Sequence, residues 1–144
     1  MMKQAAIPNQ IIWYVAPTFK MAKEICWSDL KQTLAKYNWI EDINETTLTI
    51  RIRKTNSIIS LKGAENFDSL RGTGLNFLVL DEFADIDKRT WFEVLRASCS
   101  DKEAKVYLQE HREVLVIGAM SFILKESKIL NGSPFNIRLC KEGW

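Results

Sequence analysis

The chain has 144 residues, enough for one domain with a sizeable core. Its 20 lysines and arginines against 18 aspartates and glutamates leave a formal charge of +2, too small to indicate a nucleic-acid-binding protein by itself. Three cysteines without a C-x-x-C spacing and a single histidine argue against a disulfide framework or a zinc site. With no apolar leader and no run near the ~20 apolar residues of a membrane span, we expect a protein of a reducing compartment that does not cross a membrane.

The first third of the chain predicts a strand followed by a long helix. Residues 1–6 have the pattern of the last turns of a helix that ends before Pro8, and the β-branched and aromatic run 11–15 predicts a strand buried on both faces. Thr18 is suited to cap a helix over residues 20–37. Its apolar stripe is predicted to comprise Ala22, Ile25, Cys26, Leu30 and Leu34.

Residues 43–53 change to the alternating period of a strand with one wet face. A turn at 54–56 and the run 57–61 then predict a hairpin partner. The exposed side would carry the cations Arg51, Arg53, Lys54 and Lys62. Such a cluster is compatible with a solvated face or with contact to a phosphate backbone.

Residues 77–80 form a short apolar run that leads directly into the acidic pair Asp81 and Glu82. The run predicts a buried strand, and open α/β sheets bind ligands at the carboxyl ends of such strands. In nucleotide-hydrolysing proteins this is the Walker B pattern, in which the first acid helps to hold Mg²⁺ and the second acts on the attacking water. The alternative is a core strand that ends in a solvated acidic turn.

Arg71 is the one cation placed just before the acidic strand. From the residues alone it could reach a phosphate, or it could pair with Asp68 or Asp85 at the surface. Asp87 is predicted to cap a further helix, with an apolar side made of Trp91, Phe92, Val94 and Leu95. The order strand, helix, hairpin, strand, helix predicts an α/β domain.

Four linked segments in one order resemble a known family. They are residues 12–25 (IWYVAPTFKMAKEI), 59–64 (ISLKGA), 68–75 (DSLRGTGL) and 78–84 (LVLDEFA), followed by Trp91. Over residues 1–101 the chain resembles the ATPase domain of the large subunit of tailed-phage terminase, the motor that packages double-stranded DNA into a procapsid.

The resemblance implies a partial P-loop NTPase sheet of the additional-strand catalytic-glutamate kind, flanked by helices and carrying a β-hairpin insertion. It implies that Asp81 is the Mg²⁺-associated acid, that Glu82 is the catalytic glutamate, and that Arg71, Thr18 and Pro17 lie at the nucleotide. The implied cofactors are ATP and Mg²⁺, and the implied partners are double-stranded DNA, the portal protein and the small terminase subunit. The implied location is the cytoplasm of an infected or lysogenic bacterial host.

The sequence departs from the family in two places. No G-x-x-x-x-G-K-[ST] loop occurs in it, and the family carries that phosphate loop just upstream of the segment that matches Met1, so we expect this fragment to be inactive alone. After residue 101 the family's G-T-P-x-G motif is missing, although a one-base shift of the reading frame near Lys102 permits it. We therefore predict a terminase-like core over 1–101 and a frameshifted, non-family tail over 102–144. The alternatives are a helicase-like ATPase fragment and a non-enzymatic prophage remnant.

Overall fold

The computed structural model describes residues 1–100, 102–110 and 113–118, and for Glu110 and residues 113–118 it describes the backbone alone. The helices are α1 (Met2–Ala5), α2 (Phe19–Ala22), α3 (Ser28–Lys36) and α4 (Arg96–Ser100), with π-helical turns at Lys23–Trp27 and Thr90–Leu95 and 3-10 segments at Ala64–Leu70 and Phe83–Asp85. The strands are β1 (Ile11–Ala16), β2 (Ile40–Asn44), β3 (Thr49–Ile52), β4 (Ile58–Gly63), β5 (Phe77–Asp81), β6 (Lys105–Glu110) and β7 (Glu113–Gly118).

The described strands form one mixed sheet in the order β2-β3-β4-β1-β5-β6-β7. The four inner strands β4, β1, β5 and β6 are parallel to one another, whereas β2, β3 and β7 pair antiparallel with their neighbours. Helices pack on the sheet, so the predicted α/β class and the β-hairpin beside it are confirmed.

Each face of the sheet carries its own apolar core. One core lies between the sheet and the helical segment from α2 to α3, and it includes Ile12, Tyr14 and Leu34. The other lies under the helical segment that ends in α4, and it includes Leu78 and Leu95. Because β1 and β5 are covered on both faces, their sequences are apolar without alternation, as the sequence predicted.

The prediction of one strand over residues 43–53 is wrong. Residues 45–48 form a turn between β2 and β3, in which the Asn44 side-chain oxygen accepts hydrogen bonds from the backbone N–H groups of Thr46 and Thr47 at 3.0 and 2.9 Å. This is a local asparagine turn that competes with the strand ladder. The later turn is confirmed, with Lys54 and Asn56 in left-handed conformation between β3 and β4.

Two residues of the predicted apolar stripes face solvent. Ile25 is 50% exposed and Phe92 is 44% exposed, whereas Trp27 and Trp91 are buried. Each exposed residue lies in a π-helical turn, whose i→i+5 hydrogen bonds enclose one more residue than those of an α-helix and so rotate the following side chains relative to the sheet. The assignment of Ile25 and Phe92 to the core is therefore wrong.

The predicted boundary between residues 101 and 102 falls inside one sheet. Strand β6 pairs in parallel with β5 from Phe77 with Lys105 to Asp81 with Gln109, and β7 continues the sheet antiparallel to β6. The division into a family core and a frameshifted tail stays a prediction. Residues 119–144 of that tail lie outside the part of the chain that the structure describes.

Candidate functional site

Asp81 and Glu82 lie at the carboxyl edge of the parallel strands. Asp81 is the last residue of β5. Val15 of β1 pairs with Leu80 of β5, and β1 ends one residue later at Ala16, so the two strands end at the same edge. Pro17 and Thr18 follow β1 at the same edge. The fold thus brings four of the five predicted site residues to the edge where open α/β sheets bind ligands.

The Asp81 carboxylate is buried, with 3% of the residue exposed, and both of its oxygens accept hydrogen bonds. The hydroxyl of Tyr14 donates to Oδ2, and the backbone N–H of Glu82 donates to Oδ1 at 3.1 Å. Burial, and after it the hydrogen bond to Asp81, raises the pKa of Tyr14 well above its ordinary value, so the phenol keeps its proton. The sequence pattern did not predict Tyr14 as a site residue, although the period of two in β1 places it on one face.

No ion pair in the described part of the chain includes Asp81. A buried carboxylate without a cation is energetically costly, so this one suits a cation supplied from outside. Mg²⁺ is commonly held by one or two carboxylates, with substrate phosphates and water as the other ligands. Among the described residues no group of three potential metal-binding side chains occurs, so Asp81 fits Mg²⁺ only as part of such a shared site.

Glu82 adopts a left-handed backbone conformation with φ 46°. Its carbonyl oxygen accepts the N–H of Asp85 at 2.9 Å, which closes the 3-10 turn Phe83–Asp85. A non-glycine residue in this region of the backbone map is strained, and such strain clusters at functional sites. The turn ends the strand directly after Asp81 and leaves the Glu82 side chain half-buried at the sheet edge.

Thr18 caps the long helix, as its position in the sequence predicted. Its Oγ1 accepts the N–H of Met21 at 3.1 Å, so the hydroxyl already has a structural partner. The Glu65 carboxylate accepts the N–H of Phe19 at 2.8 and 3.1 Å. Glu65 thus places a negative charge at the positive end of the helix, a contact that sequence analysis missed.

Arg71 contacts the 3-10 segment Ala64–Leu70 and the π-helical turn Thr90–Leu95. Its guanidinium pairs with Asp68 at 3.0 Å and with Glu93 at 3.6 Å, and it lies 5.8 Å from the centre of the Phe67 ring. Of the two surface partners that the sequence allowed, Asp68 is confirmed, and the second acid is Glu93 rather than Asp85. The side chain is about half exposed, so these pairs contribute little to stability.

The fold is similar to that of solved structures of phage large terminases. The ATPase domain of the Thermus phage P74-26 large terminase superposes with a TM-score of 0.64 at 24% identity, over 75% of this chain and 50% of that one. The large terminase of a second thermophilic bacteriophage superposes with a TM-score of 0.63 at 18% identity, over 74% of this chain and 27% of that one. This chain has the fold of phage large-terminase ATPase domains.

The predicted α/β fold class, a sheet flanked by helices with a β-hairpin, is thus confirmed. The chain spans about half the length of the P74-26 domain and about a quarter of the second phage's terminase. No protein-family model and no curated protein sequence matched the chain. Within residues 1–100, 102–110 and 113–118, no helix is long and apolar enough to cross a bilayer.

Proposed function

We propose that this chain is a fragment of the large subunit of a phage terminase, the ATP-driven motor that packages double-stranded DNA into procapsids. The observation that carries the proposal is the acidic pair at the carboxyl end of β5, in a sheet with the terminase ATPase fold. The proposal takes residues 1–101 as the terminase-like core and 102–144 as the non-family tail.

Asp81 and Glu82 take different roles in this proposal. Asp81 is buried and held by two donors, which suits a fixed ligand of Mg²⁺. Mg²⁺ bound there would neutralise negative charge on the phosphates of ATP. Glu82 follows at the strained, half-buried turn, and its carboxylate orients the attacking water and accepts its proton.

Arg71, Thr18 and Pro17 are proposed as the nucleotide-contacting residues. The large terminase of the second thermophilic phage is known in complex with ADP and with ATP-γ-S, which supports a nucleotide as the ligand of this fold. For Arg71, contact with a phosphate requires that it exchange its pairs with Asp68 and Glu93 for that phosphate. For Thr18, the hydroxyl keeps its role as helix cap, and the backbone at the sheet edge is the contact.

The proposed setting is the cytoplasm of an infected or lysogenic bacterial host, with double-stranded DNA, the portal protein and the small terminase subunit as partners. The sequence contains no phosphate-loop motif, so the fragment by itself lacks the group that cradles the β- and γ-phosphates. We therefore propose that the 144-residue chain alone hydrolyses no ATP, as expected of a prophage remnant.

ATP hydrolysis measured in two forms of the protein tests the proposal. The 144-residue chain should show no turnover above a buffer control. A longer form, in which a terminase phosphate-loop strand and helix precede Met1, should hydrolyse ATP and lose this activity on Glu82→Gln. Glu24→Gln, at an exposed acid that pairs with Lys20, is the matched control and should keep it. Turnover by the short chain contradicts its inactivity, and turnover that survives Glu82→Gln contradicts the role of Glu82.

A further inference from the structure

Tyr14 reaches Asp81 because of the register of two parallel strands. Tyr14 in β1 is paired with Val79 in β5, and Asp81 lies two residues further along β5 on the same face. Two residues of strand span roughly 6.6 Å at ~3.3 Å per residue, a distance that a tyrosine side chain leaning along the sheet can cover. The phenol hydroxyl therefore meets Oδ2 of the carboxylate at the edge of the sheet.

Packing explains the ring of Tyr14 but not its hydroxyl. The residue is 5% exposed and belongs to the core under α2 and α3, where a phenylalanine would fill the same space. A buried hydroxyl without a partner destabilises a protein, and here the only hydrogen-bond partner of the Tyr14 hydroxyl among the described residues is Asp81. The Tyr14 hydroxyl is thus positioned to donate a hydrogen bond to the Asp81 carboxylate.

The two hydrogen bonds on Asp81 act from different sides. The Tyr14 hydroxyl holds Oδ2 and the backbone N–H of Glu82 holds Oδ1, so rotation of the carboxylate about its Cβ–Cγ bond would break both. Each carboxylate oxygen has a second lone-pair direction that these bonds leave available. A carboxylate fixed in this way presents the remaining lone pairs in one orientation.

We propose that Tyr14 is a positioning residue, whose hydroxyl fixes the Asp81 carboxylate in the orientation that receives a divalent cation. The inference rests on the proposed metal-binding role of Asp81. Hydrogen-bonding partners of metal ligands typically change metal affinity by about 10- to 100-fold when they are removed. Tyr14 itself contacts no metal in this proposal and acts through Asp81.

Binding of Mn²⁺ as the probe, followed by the electron paramagnetic resonance signal of the free ion, tests the inference in the longer form that carries a phosphate loop, with ADP supplying the phosphate ligands. Asp81→Asn should remove the site in that form. Tyr14→Phe should weaken Mn²⁺ binding about 10-fold, and Tyr37→Phe, at a tyrosine that is 56% exposed, should leave it unchanged. Equal or tighter binding by Tyr14→Phe overturns the proposal, because the hydroxyl would then be neutral or would compete with the cation.

Two further measurements separate the inference from the function on which it rests. If Asp81→Asn binds Mn²⁺ as the unchanged chain does, the metal role of Asp81 fails, and the positioning role fails with it. A double-mutant cycle of Tyr14→Phe and Asp81→Asn in urea unfolding then shows whether the contact serves the fold alone. If Tyr14→Phe does not fold, Mn²⁺ added to the unchanged chain should broaden the Tyr14 ring signals in nuclear magnetic resonance before those of Tyr37. The reverse order overturns the proposal.

Discussion

The carboxylate of Glu65 reaches the N-terminus of the long helix through space that a side chain at Gly63 would occupy. Glu65 accepts the N–H of Phe19 with both oxygens, and a Cβ built on Gly63 would overlap Oε2 of Glu65 and the backbone nitrogen of Phe19. Gly63 ends β4 and pairs with Ala16 at the end of β1. The absence of a side chain at this position therefore allows the sheet edge, the helix start and the Glu65 cap to lie together.

Gly63→Ala should lower the free energy of unfolding by about 1–3 kcal/mol, the usual range for inserting a group into filled space. Urea unfolding measures the loss. On a Glu65→Ala background the substitution should still destabilise the protein, because the backbone nitrogen of Phe19 cannot move away as a side chain can. If Gly63→Ala leaves the free energy of unfolding unchanged on that background, the predicted overlap with the backbone nitrogen of Phe19 is wrong.

Thr18→Ala should cost about 1 kcal/mol of stability, because the N–H of Met21 loses the side-chain oxygen that caps the helix. Thr18→Ser keeps that oxygen and serves as the control. Thermal and urea unfolding of the two variants give the comparison. If Thr18→Ala leaves the stability unchanged, the Glu65 carboxylate alone caps the helix.

The π-helical turn at Lys23–Trp27 predicts opposite effects for two neighbouring apolar residues. Trp27→Ala should lose about 3–5 kcal/mol, because the ring is buried and its Nε1–H donates to Glu45 at 2.6 Å. Ile25→Ala should stay within about 0.5 kcal/mol, because Ile25 is exposed. Urea unfolding of both variants measures these losses. A larger loss of stability for Ile25→Ala would mean that Ile25 is buried, as a regular α-helix would place it.

Stability should fall as the pH rises above about 9. Burial raises the pKa of the Cys99 thiol to about 12, and burial, and after it the charge of Asp81, raises the pKa of Cys26 to about 11. Between pH 9 and these values the unfolded chain releases thiol protons that the folded chain keeps, so each group removes up to about 1.4 kcal/mol per pH unit.

Urea unfolding at pH 8, 9, 10 and 11 measures this dependence. In Cys99→Ala, the loss of stability per pH unit should be smaller by the contribution of about one proton. Cys26 and Tyr14 continue to contribute to this loss in both proteins. An unchanged slope in Cys99→Ala would mean that the thiol titrates in the folded state as it does in the unfolded state.

The elements that the sequence determined are those whose signals are local. The runs in β1 and β5 are apolar at every position because both faces are covered, and covered strands need no alternation. The acidic pair follows β5 directly, so its place at the sheet edge comes with the strand. Thr18 caps a helix that begins one residue later, and this too depends on neighbours in the sequence.

Only the tertiary structure decided the features that depend on distant residues. Phe19 and Glu65 are 46 positions apart and Tyr14 and Asp81 are 67 apart, so neither contact has a local signal. The π-helical turn, in which Trp27 is buried and Ile25 is exposed, likewise has no signal in the spacing of the apolar residues. Local patterns set which segments become strands and helices, whereas strand register and side-chain packing set which residues meet at the site.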